Sequence, residues 1–201
     1  VNVTRFFRNP EVWQRLRTLL TPAWLSTRFS ISAWSAGCAS GEEAFTLAML
    51  LAEAVAAMPE RDRPAIRIDG TDIDLPCLES ARRAVYPARV LADTPTALLD
   101  RWTEPAEGGF RMARELIGLT RFRCHDLSSP GASTPCHDII ACRNVLIYFE
   151  RSAQARVLAG LAAALRPGGL LLLGKVEMLT GPARSLLEPV DARERIFRRP
   201  G

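Results

Sequence analysis

The chain has 201 residues, 48% of them hydrophobic, a formal net charge of +4 and five cysteines. That length suits one domain with a small insertion, and the apolar share is ample for a buried core without covalent staples. No uninterrupted apolar run approaches the ~20 residues that span a bilayer, and the N-terminus lacks a charged-then-apolar leader, so the chain is expected to be soluble and not exported. It opens on Val1, which points to a piece of something longer.

Cys38, Cys77, Cys124, Cys136 and Cys142 are odd in number and never form C-x-x-C, a usage that predicts reduced thiols in a cytoplasmic protein. A zinc site from Cys124-His125, Cys136-His137 and Cys142 is not expected, because neighbours on a strand point to opposite faces and each pair would offer one ligand. The first thirty residues carry Arg5, Arg8, Arg15, Arg17 and Arg28 against Glu11 alone. Such a basic end suits a solvated helix face, an acidic partner or an anionic substrate. No basic stripe interleaved with aromatics is present, so a DNA or RNA role is not expected.

In chain order, Asn9-Pro10 followed by Glu11 to Leu20 reads as an amphipathic helix with Val12, Trp13, Leu16, Leu19 and Leu20 on one face, Asn9 as cap and Pro10 at the first helical position. Ser30 to Trp34 is the first strand. The helix Glu42 to Met58 follows, stopped by Pro59. Ala65 to Gly70 is the second strand and Leu75 to Ala84 a short helix. This alternation predicts a parallel sheet covered on both faces. From Tyr86 to Arg121 the pattern breaks into Pro-, Thr-, Glu- and Gly-rich pieces, with a helix at Thr96 to Trp102 and a turn into a strand at Gly108 to Met112. A small inserted subdomain is expected at roughly 93–119. The sheet resumes with Thr120 to Cys124 and Asp138 to Cys142. Ser152 is expected to cap a helix from Ala153 to Leu165, Pro167-Gly168-Gly169 to turn the chain, Leu170 to Gly174 to be a buried strand, and Glu194 to Arg198 a last edge strand.

In an open parallel sheet the ligand lies beyond the carboxyl ends of the strands, where strand order reverses. Three patches fall at such ends: Ser35-Ala36-Gly37-Cys38-Ala39-Ser40-Gly41-Glu42-Glu43, Gly70-Thr71-Asp72-Ile73-Asp74 and Cys142 to Phe149. The turn holding Ala36 and Gly37 lets backbone approach a ligand closely. Asp72 is placed to accept hydrogen bonds from a ribose diol, and its alternative duty, capping the helix from Leu75, suits Asp74 better. The turn matches neither a triphosphate loop nor the Gly-x-Gly-x-x-Gly of dinucleotide folds. Glu42 and Glu43 would repel phosphate and welcome a sulfonium or ammonium, although first-turn carboxylates also answer the helix dipole.

Asn2-Val3-Thr4-Arg5-Phe6-Phe7-Arg8, Ser35 to Glu43, Thr71 to Asp74, Cys142 to Phe149 and Pro167 to Gly169 together resemble the chemotaxis receptor methyltransferases, the CheR family, over nearly the whole chain. The resemblance implies a class I S-adenosylmethionine-dependent methyltransferase, an α/β Rossmann-like sheet with a small inserted β-subdomain. Residues 1–29 would then form an N-terminal helix and cofactor-contacting segment, and 30–201 the methyltransferase domain. It further implies methyl-ester formation on glutamate side chains of methyl-accepting chemoreceptors, with S-adenosylhomocysteine as product. By the family pattern Asn2, Thr4, Arg8, Glu42, Asp72, Asp126, Leu127, Cys142 and Arg143 line the cofactor, and Arg8 and Tyr148 lie near the reacting methyl.

The chain departs from that pattern at Asp126, where Asn is usual, at Ala44 in place of Pro, and at Lys175-Val176-Glu177 in place of x-Ser-Glu. The family's arginine-rich N-terminal helical domain is absent from this sequence. A glutamate acceptor, with an ordinary pKa of about 4.3, is already an anion at neutral pH, so the chemistry asks for alignment more than for acid or base help. Arg8 and Arg143 are candidates to hold that carboxylate, and Tyr148 to orient it or simply to pack. Two other readings remain open: a degenerate cofactor-binding module within a larger signalling protein, and a methyltransferase for a small carboxylic acid.

Overall fold

The computed structural model describes residues 4–129 and 136–201. The chain enters through α1 (Pro10–Leu19) and α2 (Pro22–Ser26), then runs β1 (Ser30–Ala36), α3 (Glu42–Ala56), β2 (Ala65–Asp72) and α4 (Leu75–Arg83). β3 (Val85–Tyr86), α5 (Thr96–Trp102), β4 (Thr103–Ala106), β5 (Gly109–Met112) and α6 (Arg114–Leu119) follow. β6 (Thr120–Cys124), β7 (His137–Cys142), α7 (Arg151–Ala164), β8 (Leu165–Leu173), α8 (Ala183–Leu186), β9 (Glu188–Asp191) and β10 (Ile196–Arg198) complete it.

The main sheet has seven strands in the order β6-β2-β1-β7-β8-β10-β9. Its first five are parallel, and β10 and β9 pair antiparallel at the far end. Chain order runs outward from β1 to β2 and β6, then returns to β7 on the other side of β1, so strand order reverses between β1 and β7. That reversal opens a crevice above their carboxyl ends. β3, β5 and β4 form a separate three-stranded antiparallel sheet.

Side chains alternate between two cores, as the pleat requires. Ile139 and Ala141 of β7, with Leu170 and Leu172 of β8, join Trp13 and Leu16 of α1 and Phe45, Leu47 and Leu51 of α3. Ile140 and Cys142, with Leu171 and Leu173, join Val157, Leu158 and Leu161 of α7. Strands that bury both faces read as unbroken apolar runs, and Leu170 to Leu173 does so.

Several expected element bounds move, each for a local reason. β1 and β2 continue to Ala36 and Asp72, because both remain paired to the last residue, Ala36 against Thr71. α3 ends at Ala56, short of Met58, since Pro59 disfavours helical dihedrals at Met58 and Ala57, still near helical values, is left as the C-cap. Pro167 to Gly169 does not separate a turn from a strand: β8 runs through it as an irregularity, with Gly168 at φ 75 and the register against β7 shifting between His137 and Ile139. Glu194 to Arg198 is not the edge. β10 sits between β8 and β9, and β9 takes the edge.

Ser152 does not cap α7. The helix starts at Arg151 after Glu150, with no side-chain cap, and its start is fastened by Gln154 Nε2, which donates to the carbonyls of Leu146 and Phe149 at 3.0 and 2.9 Å. Asn9 stands at the cap position of α1, but at φ 59 its side chain makes no cap bond.

The basic N-terminal stretch is largely tethered. Arg5 pairs with Asp93, Arg15 with Asp191, and Arg28 with the buried Asp138. Asp138 also accepts from Ser32 N and Arg166 Nη1, both at 2.9 Å, which fixes the entry segment to the sheet. Among the described residues no helix is long and apolar enough to cross a membrane.

Candidate active site

A cavity of about 740 Å³ opens at the carboxyl ends of β1, β2 and β7, within the roughly 300–1,000 Å³ usual for ligand sites. Its wall includes Thr4, Arg8, Gly37, Asp72, Asp126, Leu127, Arg143 and Tyr148, so eight of the residues singled out from sequence converge on one place. Asn2 lies outside the described residues. Ala36, Glu42 and Cys142 do not line the cavity. Ala36 and Cys142 are fully buried among the apolar residues under α7.

The loop between β1 and α3 forms the floor. Gly37 and Cys38 donate to the Thr71 carbonyl at 2.8 and 2.9 Å. Gly37 stands at φ 79, and a β-carbon there would lie 2.4 Å from Val145 Cγ2, so only glycine fits. Asp72 closes β2, accepting from Ala39 N at 2.8 Å through Oδ2 and from Asp74 N at 3.0 Å through Oδ1. Asp74 in turn caps α4 by accepting from Cys77 N at 3.0 Å. The two aspartates thus divide the duties of holding the loop and capping the helix. A carboxylate has about four lone-pair sites, so Asp72 keeps acceptor capacity toward the cavity.

The paired glutamates at the start of α3 diverge. Glu42 is buried and its carboxylate accepts from Ser40 Oγ at 3.0 and 2.8 Å, with its pKa raised by burial. Glu43, unassigned in the sequence reading beyond its helix-start charge, is the one on the cavity wall. It accepts from Ser35 Oγ at 2.8 Å and lies 3.7 Å from Arg143 Nη1. Burial pushes its pKa up to about 6, and the Arg143 charge opposes that rise.

Arg143 is nearly buried at the end of β7. Its Nη2 donates to the Arg8 carbonyl at 2.8 Å and to Asn9 Oδ1 at 3.0 Å, and its guanidinium stacks 4.9 Å from the Trp13 ring centroid. The fork therefore clamps the N-terminal segment onto the sheet, which brings Arg8 to the cavity. Its buried Nε has no acceptor among the described residues. Trp13 supports the same segment, donating from Nε1 to the Arg8 carbonyl at 3.0 Å. Sequence marks Trp13 only as an apolar helix face; its contact with Arg143 arises from tertiary packing.

Asp126 accepts from Ser128 N and Oγ at 2.8 and 2.7 Å, which lowers its pKa and folds the loop after β6 over the cavity. Tyr148 stands at the mouth, 72% exposed. Burial raises the pKa of both Cys38 and Cys142, with the Asp72 charge adding to the first and Glu177 to the second, so these thiols stay neutral and are not nucleophiles.

The crevice fits an adenosyl sulfonium on three counts. Its size is right, Asp72 offers acceptors at the strand end where a ribose diol would lie, and Glu43 presents a carboxylate to a cation while the orphaned Arg143 Nε awaits an anionic oxygen. The sheet has the fold of the class I methyltransferases, with the crevice at its switch point.

A TehB-like SAM-dependent methyltransferase from Corynebacterium glutamicum shares that fold, with a TM-score of 0.50 at 16% identity, covering 94% of this chain and 85% of that one. The family model described as CheR methyltransferase, SAM binding domain, matches residues 2–196. The chain belongs to that family, whose cofactor is S-adenosylmethionine. It is 34% identical over 182 residues to a chemotaxis protein methyltransferase of Vibrio parahaemolyticus, covering 90% of this chain and 66% of that protein. It is 35% identical to chemotaxis protein methyltransferase 2 of Pseudomonas aeruginosa, covering 88% and 63%. An uncharacterized 104.1 kDa protein of Rhodobacter capsulatus matches 100% of this chain at 35% identity, and the chain spans only 21% of it.

Proposed function

We propose that this domain transfers a methyl group from S-adenosylmethionine to glutamate side-chain carboxylates of methyl-accepting chemotaxis-type receptors in the cytoplasm, giving methyl esters. The observation that carries the reading is the convergence of Asp72, Glu43, Arg8, Arg143 and Tyr148 on one crevice at the switch point of the sheet. Asp72 would take the ribose hydroxyls and Glu43, rather than Glu42, the cationic end of the cofactor. Thr4, Gly37, Asp126 and Leu127 would complete the cradle. Bound there, the cofactor supplies an electrophilic methyl on a sulfonium.

The chain's own residues have a limited task. The acceptor carboxylate arrives ionised, so no general base is required. Arg8 and Tyr148, at the mouth, would hold one carboxylate oxygen while the other faces the methyl, and alignment of that kind supplies most of the acceleration. Too strong an ion pair would quench the nucleophile. Arg143, with Nη2 committed to Arg8 O and Asn9 Oδ1 and Nη1 3.7 Å from Glu43, is tied into the wall, so the Arg8 guanidinium and the Tyr148 hydroxyl are the groups proposed to meet the acceptor.

The mouth also supports a protein acceptor over a small acid. Ile73, Ile147, Tyr148, Val176 and Met178 are all more than half exposed around the strand ends, and clustered exposed apolar side chains mark macromolecular contacts. Incubation with methyl-labelled cofactor and the cognate receptor tests the proposal. Alkali-labile label on receptor glutamates is the expected result. Alkali-stable label would redirect it to N-methylation, and tight cofactor binding without transfer would leave a regulatory binding module.

A further inference from the structure

Glu177 is 4% exposed, and its carboxylate accepts four backbone N–H groups. Oε1 takes those of Val145 and Leu146 at 2.9 and 2.8 Å; Oε2 takes those of Asn144 and Gly174 at 3.0 and 2.6 Å. Three of these belong to successive residues of the turn after β7, and the fourth to the end of β8. Successive N–H groups converge where the backbone passes between left- and right-handed helical regions, a nest that binds anions. Asn144 at φ 62 followed by Val145 at φ −112, ψ −42 makes that passage. The anion in this nest is a side chain of the same protein.

Three parts of the crevice hang from the turn. Arg143 precedes it, Tyr148 follows it, and Val145 within it packs where a β-carbon on Gly37 would otherwise stand. The left-handed conformation at Asn144 is sparsely populated even for asparagine, so something must hold it. A carboxylate offers about four lone-pair sites, and all four of Glu177 are taken by this turn and Gly174. It has no acceptor left for a ligand.

We infer that Glu177 is a positioning residue, the internal anion that fixes the Asn144 to Leu146 turn and so sets where Arg143 and Tyr148 stand over the cofactor. The inference rests on the reading of the crevice as a methyl-transfer site. Glu177→Gln keeps size and shape but turns one acceptor oxygen into a donor facing N–H groups. A reacting group misplaced by about 1 Å loses roughly 100-fold in rate, so kcat should fall on that order. The affinity for S-adenosylhomocysteine, held by Asp72 and its loop, should stay within about tenfold.

Amide exchange supplies a readout that a merely structural role would not produce. The amides of Asn144, Val145 and Leu146 should lose protection in Glu177→Gln while those of Ile140 and Leu172 in the neighbouring strands keep theirs. Gly174→Ala is the second variant, since its new β-carbon would lie 2.7 Å from Oε2 and 2.9 Å from Asn144 N and so wedge apart the carboxylate and the turn without removing either. It should show the same pattern at about tenfold in kcat. Wild-type turnover in either variant, or a fall matched by the folded fraction with turn amides as protected as the core, would overturn the inference. Should the wild-type protein methylate no receptor, the reading of the crevice fails, and the turn amides still decide the role of Glu177.

Discussion

Two adjacent carboxylates open α3, and the fold gives them opposite surroundings. One residue of helix is about 100° of rotation, so Glu42 and Glu43 cannot both face the crevice, and sequence alone does not set the phase. The N-terminal segment and Ser40 set it, drawing Glu42 under the loop and leaving Glu43 beside Ser35, Arg143, Arg8 and Glu177. With an ordinary value of 4.5 raised to about 6 by burial, the folded protein holds more protons than the unfolded chain between those values. Glu43 should therefore add about 1 kcal/mol of stability as pH falls from 7 to 5, read as the difference between wild type and Glu43→Gln, because buried His137, its pKa lowered to about 4, pulls the whole protein the other way over the same range. Cofactor affinity should move the other way, because a bound cation favours the ionised carboxylate: roughly tenfold weaker at pH 5 than at pH 7. Titration calorimetry across that range checks the sign, and Glu43→Gln should bind weakly with the pH dependence removed. Arg8→Ala should lower both cofactor binding and transfer, and a radiolabel assay with wild-type turnover would remove Arg8 from the site.

The elements that carry the site were legible where backbone chemistry constrains the residue type, and obscure where a distant side chain does the work. Gly37 and Gly41 announce a loop that needs φ of 79 and 96, and Asp74 announces a helix cap. The start of α7 carries no such sign. Gln154 fastens it from inside the helix by donating to two carbonyls of the preceding turn, and Ser152, although of a cap-forming type, takes no part. Glu177 is similar, one acidic residue in a loop whose four partners lie on two separate strand ends. Gly37→Ala tests the loop. It meets both the positive φ and the 2.4 Å approach of Val145, and should lose measurable cofactor binding with a destabilisation of about 1–3 kcal/mol. Adding Val145→Ala removes the clash and leaves the φ cost, so the double variant should recover part of the stability and little of the binding. Thermal melts with and without S-adenosylhomocysteine separate the two terms.

At the scale of the whole molecule, alternation of strands and helices forecasts the parallel sheet, and apolar runs forecast its buried strands. The order of β9 and β10 was not legible, because short antiparallel strands after the last crossover carry no signal of which one pairs inward. The surface follows a logic that composition hides. Of eight large apolar side chains exposed among the described residues, Ile73, Leu75, Ile147, Tyr148, Val176 and Met178 follow the carboxyl ends of β2, β7 and β8, and only Phe29 and Leu186 lie elsewhere. Burying such side chains against a partner is favourable, and truncating an interface residue that matters typically costs upward of 1 kcal/mol. The double change Val176→Ser, Met178→Ser removes two side chains that are 73% and 61% exposed, and should leave the melting temperature and S-adenosylhomocysteine affinity unchanged. Its kcat/KM for the receptor should fall about tenfold. Unaltered receptor methylation in that variant would place the docking surface elsewhere, and a parallel loss of cofactor binding would show that these side chains act on the crevice instead of on the partner.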